Sequence, residues 1–524
     1  MNFSARVRRS AGNAGVHGFF GAAATLLPAL LVLTVYRGER AHFFTDSEHL
    51  LISAERFVVE GRFPLHGNPF FLSVPLGPLA NILTALPQFF VHRLLASYAF
   101  IWALYLLSVP LFYFAAWRFV RDAPAAFAAA LWFGICGMSD AHLLESPLNT
   151  SFLPLFLAFY AGRLFRRPEK AGLLWLYLAI GLAVQTHMTA VCLIPSSVIF
   201  LWRGKRDFLA QLPWHLLGLA IVVALHATAI YDIAHARAEF AVGDSRALFV
   251  FPPFDAQLFL ATLRVGLRFY LPLLLATPAF VLARAALVPG AAELRVKLAA
   301  ILVFQALAAA LFTAYKTDGG DRYFLKDLPF LALGLAVALQ AARQTPQPGR
   351  RRLAALFPAA GALVVVATLA HYRIEAQQPW RATDVRVSAQ HAVAAQLDRW
   401  LQENQLASVA VANAYWHMLA FGEIHRIPQM VVDQLPQALF CLEYPHYCRA
   451  AAPEETVYEV AFEYREESDL RNFLAASAGF FTHPERCGGP FAAGPNLAVF
   501  FCRGRDDPRQ PAARVADGPV TLPR

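Results

Sequence analysis

Asp46 is the acidic residue best placed to do chemistry. It stands in TDSEHLLISAERF, directly after the first hydrophobic segment, Gly18 to Tyr36. It begins an amphipathic stretch made by Leu50, Leu51, Ala54, Phe57 and Val58. Such a stretch is expected to lie along a membrane surface, holding the carboxylate at the lipid–water boundary and partly out of water. Desolvation raises a carboxylate's pKa toward working pH, which suits a general base. Glu48 is two positions on and points elsewhere on a helix; it is a candidate for binding rather than proton transfer.

Other candidates are scattered further along. Asp140 and Glu145 share the short loop MSDAHLLESPLNT with His142, near a membrane face where a substrate would sit. Pro147 and Asn149 also fit a plain capped helix entry there. His187 lies in VQTHMTAVCLIP, between two apolar runs. It reads either as a satisfied polar group at a bend or as a functional intramembrane residue. Arg264 and Arg268 are four apart, and Arg322 and Lys326 repeat that spacing in DGGDRYFLKDLPF, with Lys316 just before. Residues four apart share one α-helix face. Cations so placed make a phosphate clamp, or they snorkel to the interface. No carboxylate cluster demands a metal and no cofactor is expected, with a divalent metal left open but not indicated.

The elements that must position these residues are apolar. Of 524 residues, 57% are hydrophobic and 15% charged, against about 25% charged in soluble proteins. Leu94 to Trp117 is long enough to cross a hydrocarbon core about 30 Å thick. Comparable runs start near Ala123, Ser151, Gly172, Met188, Phe208, Gly266, Leu298, Tyr323 and Leu353. The pattern is that of a polytopic helical membrane protein. The net charge of +9 is then the excess of Lys and Arg in cytoplasmic loops, not a nucleic-acid surface. The start, MNFSARVRRS, looks like a signal peptide's basic region, but no small-residue cleavage site ends the run that follows. It reads as an uncleaved anchor with the N-terminus inside.

With Arg6, Arg8 and Arg9 inside, the basic turns WRFVRD, GRLFRRPEK, WRGKRD, ARAALVPGAAELRVK and ARQTPQPGRRR all fall inside as well. This requires that GPLANILTALPQFF, Gly77 to Phe90, does not span. About eleven spans result, with residues 1–372 as the membrane domain and the C-terminus outside. Residues 373–524 change composition and read as a soluble α/β domain: AVAAQLDRWLQENQ as a helix, and SVAVAN, TVYEVAFEY and NLAVFFCR as strands. Cys441, Cys448, Cys487 and Cys502 all lie in this tail. Four cysteines in an oxidising compartment predict at least one disulfide, with three connectivities open.

In this order, these segments resemble the GT-C superfamily, in particular bacterial members of the dolichyl-phosphate-mannose mannosyltransferase and aminoarabinose-transferase group. TDSEHLLISAERFVVEGRFPLHG looks like their first-loop pattern, and GPLANILTALP like their Gly-Pro-Leu segment. NTSFLPLFLAFY, QTHMTAVCLIP and DRYFLKDLPFLALGLA are similar to three later motifs of the group. The likeness covers roughly Gly18 to Leu339. Asp46-Ser47-Glu48 departs from an adjacent Asp-Glu, and Thr150 follows Asn149 where the pattern has Pro.

The resemblance implies sugar transfer from a polyprenyl-phosphate donor, on the periplasmic face of a bacterial inner membrane, to a lipid, glycan or protein acceptor. Asp46 would take the acceptor proton. Glu48, Asp140, Glu145, His187, Arg264, Arg268, Lys316, Arg322 and Lys326 would bind substrate, the cations bearing the leaving phosphate's charge. The competing expectation is a transporter or flippase of a lipid-linked glycan, whose polar residues would sit near the midplane.

Overall fold

The computed structural model describes residues 15–30, 50–91, 94–136, 149–231, 254–282, 291–316 and 321–343, less one position in the first stretch and several in the second. It also describes six strands between 410 and 503. The chain divides into two units, Met1–Gly38 with His49–Gln378, and Glu39–Glu48 with Pro379–Arg524.

The first unit is helical. Its described helices are α1 (Gly15–Leu30), α2 (Leu79–Ala85), α3 (Leu94–Val120), α4 (Ala123–Cys136), α5 (Leu153–Leu164), α6 (Ala171–Thr186), α7 (Leu193–Leu201), α8 (Lys205–Leu225), α9 (Ala256–Leu282), α10 (Ala291–Lys316) and α11 (Leu328–Arg343). Short 3-10 turns lead into three of them, at Asn149–Phe152, Met188–Cys192 and Asp321–Asp327. Among the described residues, four stretches are long and apolar enough to cross a membrane: Ala96–Val120, Lys205–Leu225, Glu293–Ala314 and Tyr323–Ala341. α2 has 7 residues before a 3-10 turn at Leu86–Phe89, a rise of about 10 Å. It is far too short to span.

Lipid gives helices no hydrophobic reason to associate, so small residues must let them approach. α4 does this with Ala125, Ala126, Ala129 and Ala130, all buried. α11 is apolar all round and enclosed by protein, from Leu328 to Ala338. α8 lies at the periphery, with Leu209, Leu216, Leu217 and Val223 exposed.

Basic turns gather at one end of this unit. Arg203 of the turn before α8 pairs with Glu169 of the turn before α6 at 2.6 Å. Lys297 of α10 pairs with Glu293 at 2.6 Å and donates to the Trp202 carbonyl. Arg343, in the last turn of α11, pairs with Asp122 at 3.3 Å. Exposed pairs of this kind contribute little to stability. Their value is that they record which turns are neighbours.

The second unit's strands are β1 (Ala410–Val411), β2 (Met430–Val431), β3 (Cys448–Arg449), β4 (Val457–Tyr464), β5 (Cys487–Gly494) and β6 (Leu497–Arg503). They form one mixed sheet in the order β3-β2-β1-β4-β6-β5. β1 runs parallel to β2 and β4, and β2 parallel to β3. β6 is antiparallel to both β4 and β5. β4 and β6 fall inside TVYEVAFEY and NLAVFFCR, the segments read as strands. The helix expected at AVAAQLDRWLQENQ lies outside the described residues, as does Cys441.

Candidate functional site

Opposite the basic turns, four of the segments singled out in the sequence come together. They are Gly77–Ala85, Asn149–Phe152, Gln185–Cys192 and Asp321–Asp327. α2 packs on α6 and on the 3-10 turn at Asn149–Phe152, and the turn at Met188–Cys192 packs on Asp321–Asp327.

Gln185 is the joint of this assembly. Its Oε1 accepts from the Leu79 backbone N–H at 3.2 Å, and its Nε2 donates to the Leu225 carbonyl. A buried amide so used fixes α2, α6 and the end of α8 together. Gly77 lets it in: a Cβ there would stand 2.6 Å from Gln185 Cδ. The amphipathic stretch is held here too, by Asn81 Nδ2 donating to Ser53 Oγ at 2.7 Å and by Phe57 against Phe89 at 5.4 Å. Leu50, Leu51 and Ala54 on its apolar side are buried by protein.

α6 ends at Thr186, and His187 is extended (φ −157°, ψ 117°) before the next turn. Its ring is buried, with Nδ1 2.5 Å from Thr189 Oγ1 and the Tyr323 ring 5.5 Å away, edge on. His187 thereby braces the 3-10 turn that carries Arg322.

That turn changes the expected geometry of the cations. A 3-10 helix has three residues per turn, so positions four apart are about 120° apart rather than on one face. The same-face argument from α-helical spacing does not apply to positions 322 and 326, which lie in this 3-10 turn. Lys326 is fully buried, and its three protons go to the Tyr323 carbonyl at 2.9 Å, the Gln305 carbonyl at 3.2 Å and Asp327 Oδ1 at 3.0 Å. Asp327 Oδ2 accepts from Tyr270 Oη at 2.5 Å. Lys326 therefore ties the turn to α10 and, through Asp327 and Tyr270, to α9. Asp327, Tyr270 and Gln305 were missed in the sequence. The available signal was an acid directly after a Lys inside an apolar run, which reads as a self-neutralising pair.

The Arg264 end is built by the α9–α10 hairpin. Asp255 N–H donates to the Ala314 carbonyl at 3.1 Å, and the Thr262 and Thr313 hydroxyls are 2.7 Å apart. This places the start of α9 beside the end of α10, so Arg264, Lys316 and the turn bearing Arg322 belong to the same end. Arg268 is one helical turn further along α9. Arg264 is exposed. Asp46, Glu48, Asp140 and Glu145 lie outside the described residues.

Between α9 and α10 runs an apolar cavity of about 660 Å³. Arg264, Leu267, Leu274, Leu302, Val303 and Phe324 are among its lining residues. Gly266 keeps its wall thin, since a Cβ there would meet the Phe324 ring at 2.5 Å. Gly266→Ala must shift a buried ring, an overpacking that typically costs 1–3 kcal/mol. A thermal melt in detergent should show the loss; an unchanged melting temperature would mean the ring has room to move. Among the described residues no group of three His, Cys, Asp or Glu is placed to hold a metal.

No protein-family model matches the chain, and no curated protein matches its sequence. Solved structures do. The crystal structure of ArnT from Cupriavidus metallidurans bound to undecaprenyl phosphate is similar over 93% of this chain and 99% of that one, at TM-score 0.53 and 14% identity. The apo ArnT structure from the same organism is similar over 90% and 97%, at TM-score 0.54 and 14% identity. The order of motif segments and the three-dimensional likeness agree: the chain has the fold of these ArnT structures.

Proposed function

We propose that this protein is a membrane glycosyltransferase that moves a sugar from a polyprenyl-phosphate donor to a lipid, glycan or protein acceptor. The observation that carries this reading is an apolar cavity between α9 and α10 with Arg264 in its lining at the end away from the basic turns; Arg295 lines it toward the other end. The cavity between α9 and α10 suits a polyprenyl chain, and Arg264 at its wall suits the phosphate. The fold is that of ArnT, which has been crystallised with undecaprenyl phosphate.

In this reading the acceptor hydroxyl attacks the anomeric carbon, and the bond from that carbon to the phosphate oxygen breaks. Asp46 takes the hydroxyl proton. Arg264, Arg268, Lys316 and Arg322 bear the charge that grows on the leaving lipid phosphate. Lys326 and His187 hold the turn that presents Arg322. Glu48, Asp140 and Glu145 are assigned to the sugar or acceptor. The basic turns face the cytoplasm of a bacterial inner membrane, by the positive-inside rule. The chain then crosses it about eleven times, and the site and tail are periplasmic.

The test is release of polyprenyl phosphate from a labelled polyprenyl-phosphate sugar by the full chain in liposomes. Arg264→Gln and Arg322→Gln should each lower release by about 10- to 100-fold, the worth of a hydrogen bond to a charged group. Arg351→Gln should leave it unchanged. Arg322→Lys should restore only part, because a point charge lacks the guanidinium fork. Equal tolerance at Arg264, Arg322 and Arg351 would reduce the cations to interface anchors. The competing reading, transport of a lipid-linked glycan, draws on the buried Lys326–Asp327 pair, since intramembrane charges mark ion paths. Transport leaves the sugar–phosphate bond intact, so label crossing the bilayer without phosphate release would favour it.

A further inference from the structure

The tail's sheet selects among the three ways its four cysteines can pair. Cys487 opens β5 and Cys502 lies near the end of β6, and the two are direct partners in the antiparallel register. Opposed positions in such a ladder have Cα atoms about 4.5–5.5 Å apart. A disulfide needs roughly 4.4–6.8 Å. The backbone therefore holds these two residues at bridging distance already.

Cys448 cannot compete. It lies on β3 at one edge of the sheet, while β5 is the opposite edge. Neighbouring strands are about 4.8 Å apart, so β3 is about 19 Å from β6 and about 24 Å from β5. Both connectivities that send Cys448 to Cys487 or Cys502 would tear the sheet. We propose that Cys487 and Cys502 are joined as a cross-strand disulfide that locks the β5–β6 hairpin.

The pairing closes ordinary exchange chemistry. A Cys487 or Cys502 thiolate attacks a dithiol oxidant's disulfide, and the second thiolate attacks the resulting mixed disulfide and expels the oxidant's sulfur. One S–S bond forms in the tail, the oxidant's S–S bond is reduced to two thiols, and the two protons lost by Cys487 and Cys502 end on those thiols. The reaction has reason to occur where β5 is weakest. Gly488, Gly489 and Pro490 follow Cys487, and the ladder shifts register between Gly488 and Phe491 and again between Ala492 and Gly494. Gly and Pro disfavour a strand, so a covalent tie at the open end holds a hairpin that propensity does not.

Trypsin makes the test direct. Arg486 and Arg503 bracket both partners, so residues 487–503 leave as one peptide. Arg426 and Arg449 likewise bracket Cys441 and Cys448. The full chain is taken from membranes into alkylating agent, digested without reduction and weighed. A second aliquot is reduced, treated with oxidised glutathione and processed the same way. The expected result in both is a 487–503 peptide without alkyl label and lighter by two hydrogens. The peptide 427–449 covalently joined to 487–503 would overturn the pairing, and so would two alkylated thiols in 487–503 from both aliquots. A bridge formed only after glutathione supports the pairing and counts against the tail's periplasmic location instead.

Discussion

Replacing Asp46 by Asn is expected to lower sugar transfer by about 10²- to 10⁴-fold, the share usual for a general base. The amide keeps the size of the carboxylate but cannot take the acceptor's proton. Donor binding and folding should persist, because the proposed phosphate contacts are on α9, the end of α10 and the following turn. The measurement is phosphate release in liposomes, with donor binding measured in parallel. Glu48→Gln should be milder, since two positions along a helix turn a side chain away from the same atom. A loss larger than this range would give Asp46 a second role, such as holding the sugar. Near-normal release by Asp46→Asn with an inactive Glu48→Gln or Glu145→Gln would move the base to that acid. Near-normal release by all three would sink the proposed mechanism.

The second large effect is on stability. Lys326 and Asp327 are both fully buried, and removing one partner of a buried pair strands the other charge. Lys326→Met or Asp327→Asn alone should cost about 3–5 kcal/mol. Yield of folded protein and melting temperature in detergent should both fall. The double change Lys326→Met with Asp327→Leu should recover most of the loss, because an apolar replacement of a buried pair is often neutral or better. The double variant also decides what Lys326 does. If it only ties the turn to α9 and α10, phosphate release survives; if it binds phosphate, release is lost although the protein folds. Single variants as stable as the double would show that the pair is not desolvated.

Some of this architecture could be read directly from residues. Long apolar runs and basic turns require only composition and sidedness. The shortness of Gly77 to Phe90 follows from Pro78 and Pro87, and α2 ends after 7 residues. β4 and β6 carry the aromatic and branched residues that favour strands. β5 was not legible, because CGGPFAAG lacks that signature and exists by pairing with β6. The 3-10 turns were not legible either. Their sequences continue into helices, and α-helical spacing then misaligns Arg322 and Lys326. Of the site, the motif segments were visible. Their junctions were not: Gln185 bonding to Leu79 and Leu225 joins residues 106 and 40 positions away. Among the described residues four stretches are long enough to span; α4, α6 and α7 are shorter, at 14, 16 and 9 residues, and the run that starts at Leu353 lies outside the described residues.

The enclosure of α11 has a consequence for how such a sequence can drift. A helix facing lipid, like α8, needs only to be apolar, and Leu, Val or Phe of any shape will serve at Leu216 or Val223. A helix walled in by protein must also keep its volume, since interiors tolerate size-conserving swaps and penalise others. At Phe330 or Ala332, which have no exposed surface, replacement is coupled to a compensating change in a neighbour. Most of the membrane unit's perimeter is therefore free to be rewritten, while α11, Gly77 and Gly266 change slowly or in pairs. Two chains can in this way keep one fold while only 14% of their residues agree.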